Sequence, residues 1–247
     1  MSEPPVFLPN LNVVEVAITY ACNVRCNNCS SLCTQAPVTR DDEMPVETFE
    51  RFLYESVAAD YPWGEIKLYG GQPTMHTRFL DLCRLLVSYR DNHRPNVFLS
   101  VVTNGSGKDK TAAAQAMGFY LWDSPKVGTN AFPNGSPMPY VTTNMSPADQ
   151  GLRGTNGCRI ATDCGISLTK EGFWPCSPAG AAARVFGYKA PVEHVADISH
   201  DALMKMYVHC DHCGFCLPGE PRAVEQQTSP TWQEKLANYA AGHVLPE

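Results

Sequence analysis

"VVEVAITYACNVRCNNCSSLC", Val13 to Cys33, is the stretch on which the reading of this chain turns. Residues 13–21 are rich in β-branched and apolar side chains, as a buried strand requires. Four cysteines then fall within twelve residues, directly at the carboxyl end of that strand. Cys22, Cys26 and Cys29 have the spacing C-x3-C-x2-C, and Cys33 trails behind. A loop lets several thiols point at one centre, whereas the alternation of a strand sends neighbours to opposite faces. Three soft thiolates on one loop suit three irons of a [4Fe-4S] cube and leave the fourth iron without a protein ligand. Zinc, or thiols packed in a core, is the plainer alternative.

Outward from this loop, strand-like and helix-like stretches alternate. An amphipathic helix is predicted over 45–60, with Pro at its start, then a strand over 65–71, a helix over 77–94 and a strand over 96–105. "KTAAAQAMG" reads as a third helix and "FYLWDS" as a fourth strand. Such alternation implies right-handed βαβ units and a parallel sheet, an α/β fold whose ligands bind at the carboxyl ends of the strands. The cysteine loop, "GGQPT" (Gly70 to Thr74) and "TNG" (Thr103 to Gly105) each follow a strand, so three unusual loops share one rim. From residue 125 the texture turns to Gly, Pro, Asn and Ser, with a further strand expected over 140–146. A domain boundary is placed near residue 150, giving 1–150 and a cysteine-rich 151–247.

With the three loops in this order, the chain resembles the radical S-adenosylmethionine (SAM) enzymes. The resemblance implies a partial (β/α)6 TIM-like barrel and a [4Fe-4S] cluster on Cys22, Cys26 and Cys29. It implies that SAM chelates the open iron and is cleaved by one electron to a 5'-deoxyadenosyl radical. "GGQPT" resembles the family's Gly-Gly-Glu-Pro loop, which makes Gly70, Gly71, Gln72 and Pro73 candidate SAM contacts; Thr103 and Asn104 stand where the family puts ribose-contacting side chains. Two positions depart from the family pattern: Gln72 replaces Glu, and Asn28 takes a slot that is often aromatic. Because Gln lacks the charge that favours the SAM ammonium, Gln72→Glu is expected to tighten SAM binding. Cys33 is read as a bystander, and Cys83, within "LDLCRLL", as a core thiol.

The second half carries "CRIATDCGISLTKEGFWPC" and "CDHCGFC". "ISLTKEGFWP" reads as a hairpin around a Lys-Glu-Gly turn, and "DALMKMYVHC" as a helix delivering Cys210. This tail resembles the twitch domain, the shortened relative of the SPASM domain, and so implies one auxiliary [4Fe-4S] cluster. Cys158, Cys164, Cys176, Cys210 and Cys213 are the candidate ligands, with Cys216 as a sixth. One pattern joins Cys158 and Cys176 to Cys210 and Cys213; another uses both Cys158 and Cys164. Zinc is the alternative here too. His209 and His212 flank cysteines as ligands, second-layer donors or solvated neighbours, and His76, just past "GGQPT", faces the cavity or is a plain loop histidine.

Composition narrows the function. With 247 residues and 44% hydrophobic content the chain can bury a full core. A net charge of -6 gives no footprint for a polyanion, so a nucleic-acid partner is not expected. "MSEPPVFLPN" does not resemble a secretory signal and no run matches a membrane span, so a cytoplasmic protein without a membrane partner is expected. In a reducing compartment, an odd set of eleven cysteines points to metal or redox chemistry rather than disulfides. The resemblance implies an electron donor such as flavodoxin or ferredoxin, and oxidation or rearrangement of a small polar metabolite. A peptide-modifying maturase is the alternative, though residues 1–12 leave no room for a peptide-recognition domain; a noncatalytic iron-sulfur or zinc protein is the other. No paired carboxylates mark a general acid or base.

Overall fold

The structure is a computed structural model and describes residues 8–26, 29–33, 35–124, 146–151, 158–205, 207–214 and 228–242. The first strand, β1, is Val13–Thr19, and α1, Val46–Ala58, follows Pro45. Then come β2 (Glu65–Gly70), α2 (Phe79–His93), β3 (Phe98–Thr103), α3 (Lys108–Ala116) and β4 (Tyr120–Asp123). After a gap, α4 (Arg159–Cys164), β5 (Ile166–Thr169), β6 (Gly172–Trp174), α5 (Ser177–Phe186), α6 (His200–Met204) and α7 (Pro230–Gly242) complete the order. The strand expected over 140–146 falls almost wholly outside the described residues. The expected helix over 201–210 is two elements: Ser199 caps α6 by accepting from the Ala202 N–H at 3.2 Å, and Cys210 lies in a separate 3-10 turn, Tyr207–His212.

The strands form one six-stranded sheet in the order β4-β3-β2-β1-β5-β6. All neighbours are parallel except β5 and β6. The hairpin predicted for the cysteine-rich half is therefore not detached: β5 pairs directly with β1 and extends the same sheet past the expected boundary at 150. Among the described residues, no helix is long and apolar enough to cross a membrane.

Alternation gives the sheet two unlike faces. Val14, Val16, Ile18, Ile66, Leu68, Leu99, Val101, Ile166 and Leu168 point to one side, where Phe49, Phe52, Leu82, Cys83, Leu86 and Ala114 of α1, α2 and α3 close the main core. The apolar spacing of three and four along α1 and α2 is what lays those side chains on the sheet. The other face carries Glu15, Lys67, Ser100 and Ser167, which the register sets side by side. α5 crosses the β1 and β5 half of this second face, with Ser177 at its start donating to Glu15 and Ala181, Ala182 and Val185 packing with Ala17, Tyr20, Leu32 and Trp232.

Arg184 near the end of α5 ties that helix to the cysteine loop. It donates to Pro37 O at 2.6 Å and Leu32 O at 3.2 Å, and lies 3.9 Å from the buried Asp42 carboxylate. Its guanidinium also covers the Tyr20 ring at 4.5 Å.

At the head of β2 the backbones of two strands almost touch. Gly70 has φ +141°, and a Cβ there would lie 2.0 Å from Thr19 O. Gly70→Ala is therefore expected to cost more than about 2 kcal/mol in a denaturant titration, because both the dihedral and the contact forbid a side chain.

Candidate active site

The rim at the carboxyl ends of β1, β2 and β3 is built from three loops held by backbone and side-chain bonds. Gly71 N–H donates to Thr19 O and Gln72 N–H to Ala21 O, both at 2.8 Å, so the second loop runs along the entry to the cysteine loop. From the other side, the Ser31 hydroxyl donates to Gly70 O at 3.1 Å and lies 2.5 Å from the Tyr69 hydroxyl. Since Ser31 spends its proton on the carbonyl, Tyr69 donates to Ser31.

Gln72 is wholly buried, and its side-chain amide binds only protein. Nε2 has three acceptors for its two N–H groups, Thr74 Oγ1 and Thr103 Oγ1 at 2.9 Å and Ser106 O at 3.1 Å, while Oε1 accepts from Asn104 N–H at 2.9 Å. The network continues to the cysteines. Asn104 Nδ2 donates to Asn23 Oδ1 at 3.0 Å and to Cys22 Sγ at 3.7 Å, and Ser106 Oγ donates to the same Asn23 oxygen. Thus Gln72, Thr103 and Asn104, all candidates from the sequence, meet in one cluster, and that cluster reaches Cys22. Pro73 and Thr74 start a short 3-10 turn, held by Lys110 Nζ donating to Thr74 O at 2.6 Å.

The thiols of the first loop differ in their protons. Cys33, and after it the backbone N–H groups of Cys33, Ser31 and Leu32, hold Cys29 down at about 6 against the burial that opposes them. Cys33 is pushed up, first by that same bond and then by burial. Burial also raises Cys22, offset by the Val24 N–H and the Asn104 amide. Cys29 is thus a thiolate supplied with donors, the form that binds iron, and Cys33 is its hydrogen-bond partner rather than a bystander. Cys26 sits between them on the loop, its carbonyl accepting from Gln35 Nε2 at 3.2 Å.

Among the described residues, no three His, Cys, Asp or Glu side chains gather around a point that could hold one metal ion. Tetrahedral zinc needs four ligands within about 2.3 Å of one centre, so the spread of these thiols does not fit it. A cube takes one thiolate per iron. Charge on Cys29 adds to the cost of ionising Cys22, so the two thiols are neighbours, as thiolates on adjacent irons of a cube would be.

Below the rim, the second sheet face holds charges that no motif announced. Lys67 Nζ lies 3.2 Å from Glu15 Oε1, and both are buried. Burial raises the Glu15 carboxyl, with Lys67 acting against it. Glu65 Oε1 accepts from Ser100 Oγ at 2.5 Å and from Trp122 Nε1 at 3.1 Å.

Comparison with known proteins bears on the fold. No protein-family model matches the sequence, and no curated protein matches it. Among solved structures, BtrN in complex with AdoMet and 2-DOIA superposes with a TM-score of 0.54 at 14% identity, covering 90% of this chain and 98% of BtrN. The chain has the fold of BtrN. An open conformation of BtrN gives a TM-score of 0.51 at 16% identity over 88% of this chain and 95% of BtrN. A structure of anSMEcpe with bound AdoMet gives 0.42 at 12% identity over 93% of this chain and 97% of the other.

On this BtrN-like scaffold the later cysteines stand at the two ends of α4, before α5 and in the 3-10 turn Tyr207–His212. Cys158 precedes α4 and Cys164 ends it; Cys176 precedes α5 beside Ser177, and both Cys164 and Ser177 neighbour Glu15. Burial pushes Cys164 up to about 11. Cys210 and Cys213 belong to the turn whose His212 stacks on Phe186 at the far end of α5, with ring centroids 4.7 Å apart. Ten residues of helix, about 15 Å, separate those ends. Cys216 lies outside the described residues, as does the side chain of His209. Ser146 Oγ is 3.2 Å from His212 Nδ1, and burial lowers this imidazole. His76 is a structural loop residue: Nδ1 accepts from Arg78 N–H at 2.9 Å, which leaves Nε2 to donate to Met44 O at 3.0 Å. Cys83 is buried in the main core, which pushes its thiol up to about 12.

The Gln72 geometry points away from a tighter SAM site on Gln72→Glu. A carboxylate there has no N–H for Ser106 O and faces it unpaired. Burial would raise its pKa above the unfolded value near 4.3, so the penalty applies only to the charged form in the folded state. We expect Gln72→Glu to lose about 3 kcal/mol of stability at pH 8, and the deficit to shrink as the pH falls through that raised pKa towards the unfolded value, measured by urea unfolding across pH.

Proposed function

We propose that this protein is a radical SAM enzyme acting on a small polar molecule. The observation that carries this is the single hydrogen-bonded network from Gln72 through Asn104 to Asn23 and Cys22, which fastens all three rim loops around the cysteines. The BtrN-like fold supports it, since BtrN is seen with AdoMet bound.

Cys22, Cys26 and Cys29 would hold a [4Fe-4S] cluster, Gly70 to Pro73 would line the SAM amino end, and Thr103 and Asn104 the nucleoside side. When bound and reduced by a flavodoxin- or ferredoxin-type donor, such a cluster supplies the electron that splits SAM to 5'-deoxyadenosine and methionine. The chain's own part is positional. Donors from Asn104 and the Val24 N–H settle charge on Cys22, and Cys33 with its neighbouring backbone N–H groups does the same for Cys29. Tyr69, Ser31 and Gln72 fix the loops so that little rearrangement is needed on binding. The later cysteines are assigned to an auxiliary cluster by resemblance alone.

Anaerobically reconstituted, dithionite-reduced protein is expected to release 5'-deoxyadenosine from SAM, and Cys26→Ala to abolish that release with its iron content reduced by about four per chain. Intact iron-sulfur absorption without 5'-deoxyadenosine would instead mark an electron carrier, and zinc in place of iron a structural metal site.

A further inference from the structure

Arg184, on the last turn of α5, is a buried cation that the packing of that helix does not explain. Its side chain is 8% exposed. Nη1 donates to Pro37 O at 2.6 Å and to the Tyr239 hydroxyl at 3.3 Å, and Nη2 to Leu32 O at 3.2 Å. The Tyr20 and Tyr239 rings cover the guanidinium at 4.5 and 5.4 Å. Nε, though buried, has no partner among the described residues. The one carboxylate within ion-pair distance of it among those residues is Asp42, at 3.9 Å, and the shorter bonds of that oxygen, 2.7 and 3.3 Å, go to Thr39. A cation buried on so loose a countercharge stabilises a fold less than an apolar side chain packed in its place, so Arg184 calls for a further use.

What it faces is the segment that carries the thiols. Tyr20 stands two residues before Cys22, and Leu32 lies between Cys29 and Cys33. Leu32 has φ +55°, a left-handed backbone that a bulky side chain rarely adopts, and Arg184 grips the carbonyl of that residue. The Leu32 N–H donates to Cys29. One residue of backbone and a hydrogen bond at each end of it thus separate the guanidinium from the Cys29 sulfur, which puts the charge within about 10 Å of it. At that range, with an effective dielectric of about 20, a unit charge changes a one-electron equilibrium about tenfold. Asp42 meets Nη1 whereas Leu32 is on Nη2, so the carboxylate offsets the charge only in part.

We infer that Arg184 is a positioning residue whose charge raises the reduction potential of the cluster on Cys22, Cys26 and Cys29, with Asp42 as its counterweight. The inference rests on the radical SAM reading only for the presence of that cluster. The electron comes from the flavodoxin- or ferredoxin-type donor and adds one negative charge; no bond forms or breaks. Potentiometric titration of the reconstituted full chain with dithionite, followed by electron paramagnetic resonance without SAM, tests it, and the signal missing from Cys26→Ala marks the first-loop cluster. Arg184→Gln, which removes the charge and keeps N–H donors, is expected to lower the equilibrium constant for one-electron reduction at least tenfold, or 59 mV. Arg184→Lys is expected to stay within threefold of the unaltered protein. Asp42→Asn, which keeps an acceptor for Thr39, is expected to raise the constant at least threefold. Opposite signs are the mark of charge, since a loosened loop would move both variants the same way. An unchanged potential in Arg184→Gln, an equal fall in Arg184→Lys, or a fall or no change in Asp42→Asn would overturn the assignment. Should Arg184→Gln take up no cluster, Asp42→Asn decides. Unaltered protein with no first-loop cluster would overturn the assignment and the reading together, whereas the expected shifts in protein that releases no 5'-deoxyadenosine would sink the reading and leave the assignment standing.

Discussion

A single side-chain amide, cut off from solvent, holds the working end of this molecule in shape. Gln72 leaves the end of β2, offers its N–H groups to Thr74, Thr103 and Ser106 and accepts from Asn104, and the residues it grips reach on to Asn23 and Cys22. Loops are the softest parts of an α/β fold, and their backbone groups are the costliest to leave unpaired when buried. Here one residue satisfies several of them at once. The glycines beside it serve the same end, since they let the β1 and β2 backbones approach where a side chain would collide.

The second organising element is α5. Its first turn meets Glu15 deep under the sheet through Ser177, and its last turn clamps the cysteine loop through Arg184. One rigid helix thus links the charged layer below to the cysteine loop above. Because β5 and β6, which deliver α5, belong to the same sheet as β1, this link is anchored to the strand that launches the cysteines.

Much of this was legible beforehand. Period-two and period-three-to-four patterns located β1 to β4 and α1 to α3, because tertiary packing and local propensity agree there. The rim was legible because each unusual loop follows a strand. What was hidden depended on side-chain direction and on pairing between distant segments. Gln72 looked like a ligand contact, and only its neighbours in space show it to be turned inward. Arg184 and Asp42, 142 positions apart in sequence, gave no local sign of their pairing. The charged layer did leave a trace: Glu15 interrupts "VVEVAIT" and Lys67 "EIKLYG", each at an alternate position that points away from the core. A polar residue in the middle of a strand as apolar as β1 marks a face with a task of its own.

The order β4-β3-β2-β1-β5-β6 also bears on how the chain assembles. From β1 to β4 each strand docks on its immediate predecessor, so four of the six strands join in chain order. β1 waits longest for its other flank, because Val14 must be joined by Ile166 from the far part of the chain. Closing so long a loop carries the larger entropic penalty and belongs late in folding. Until then the cysteine segment is tethered by β2 alone and lacks Arg184, so the cysteine loop takes its final shape only when the hairpin of β5 and β6 comes home.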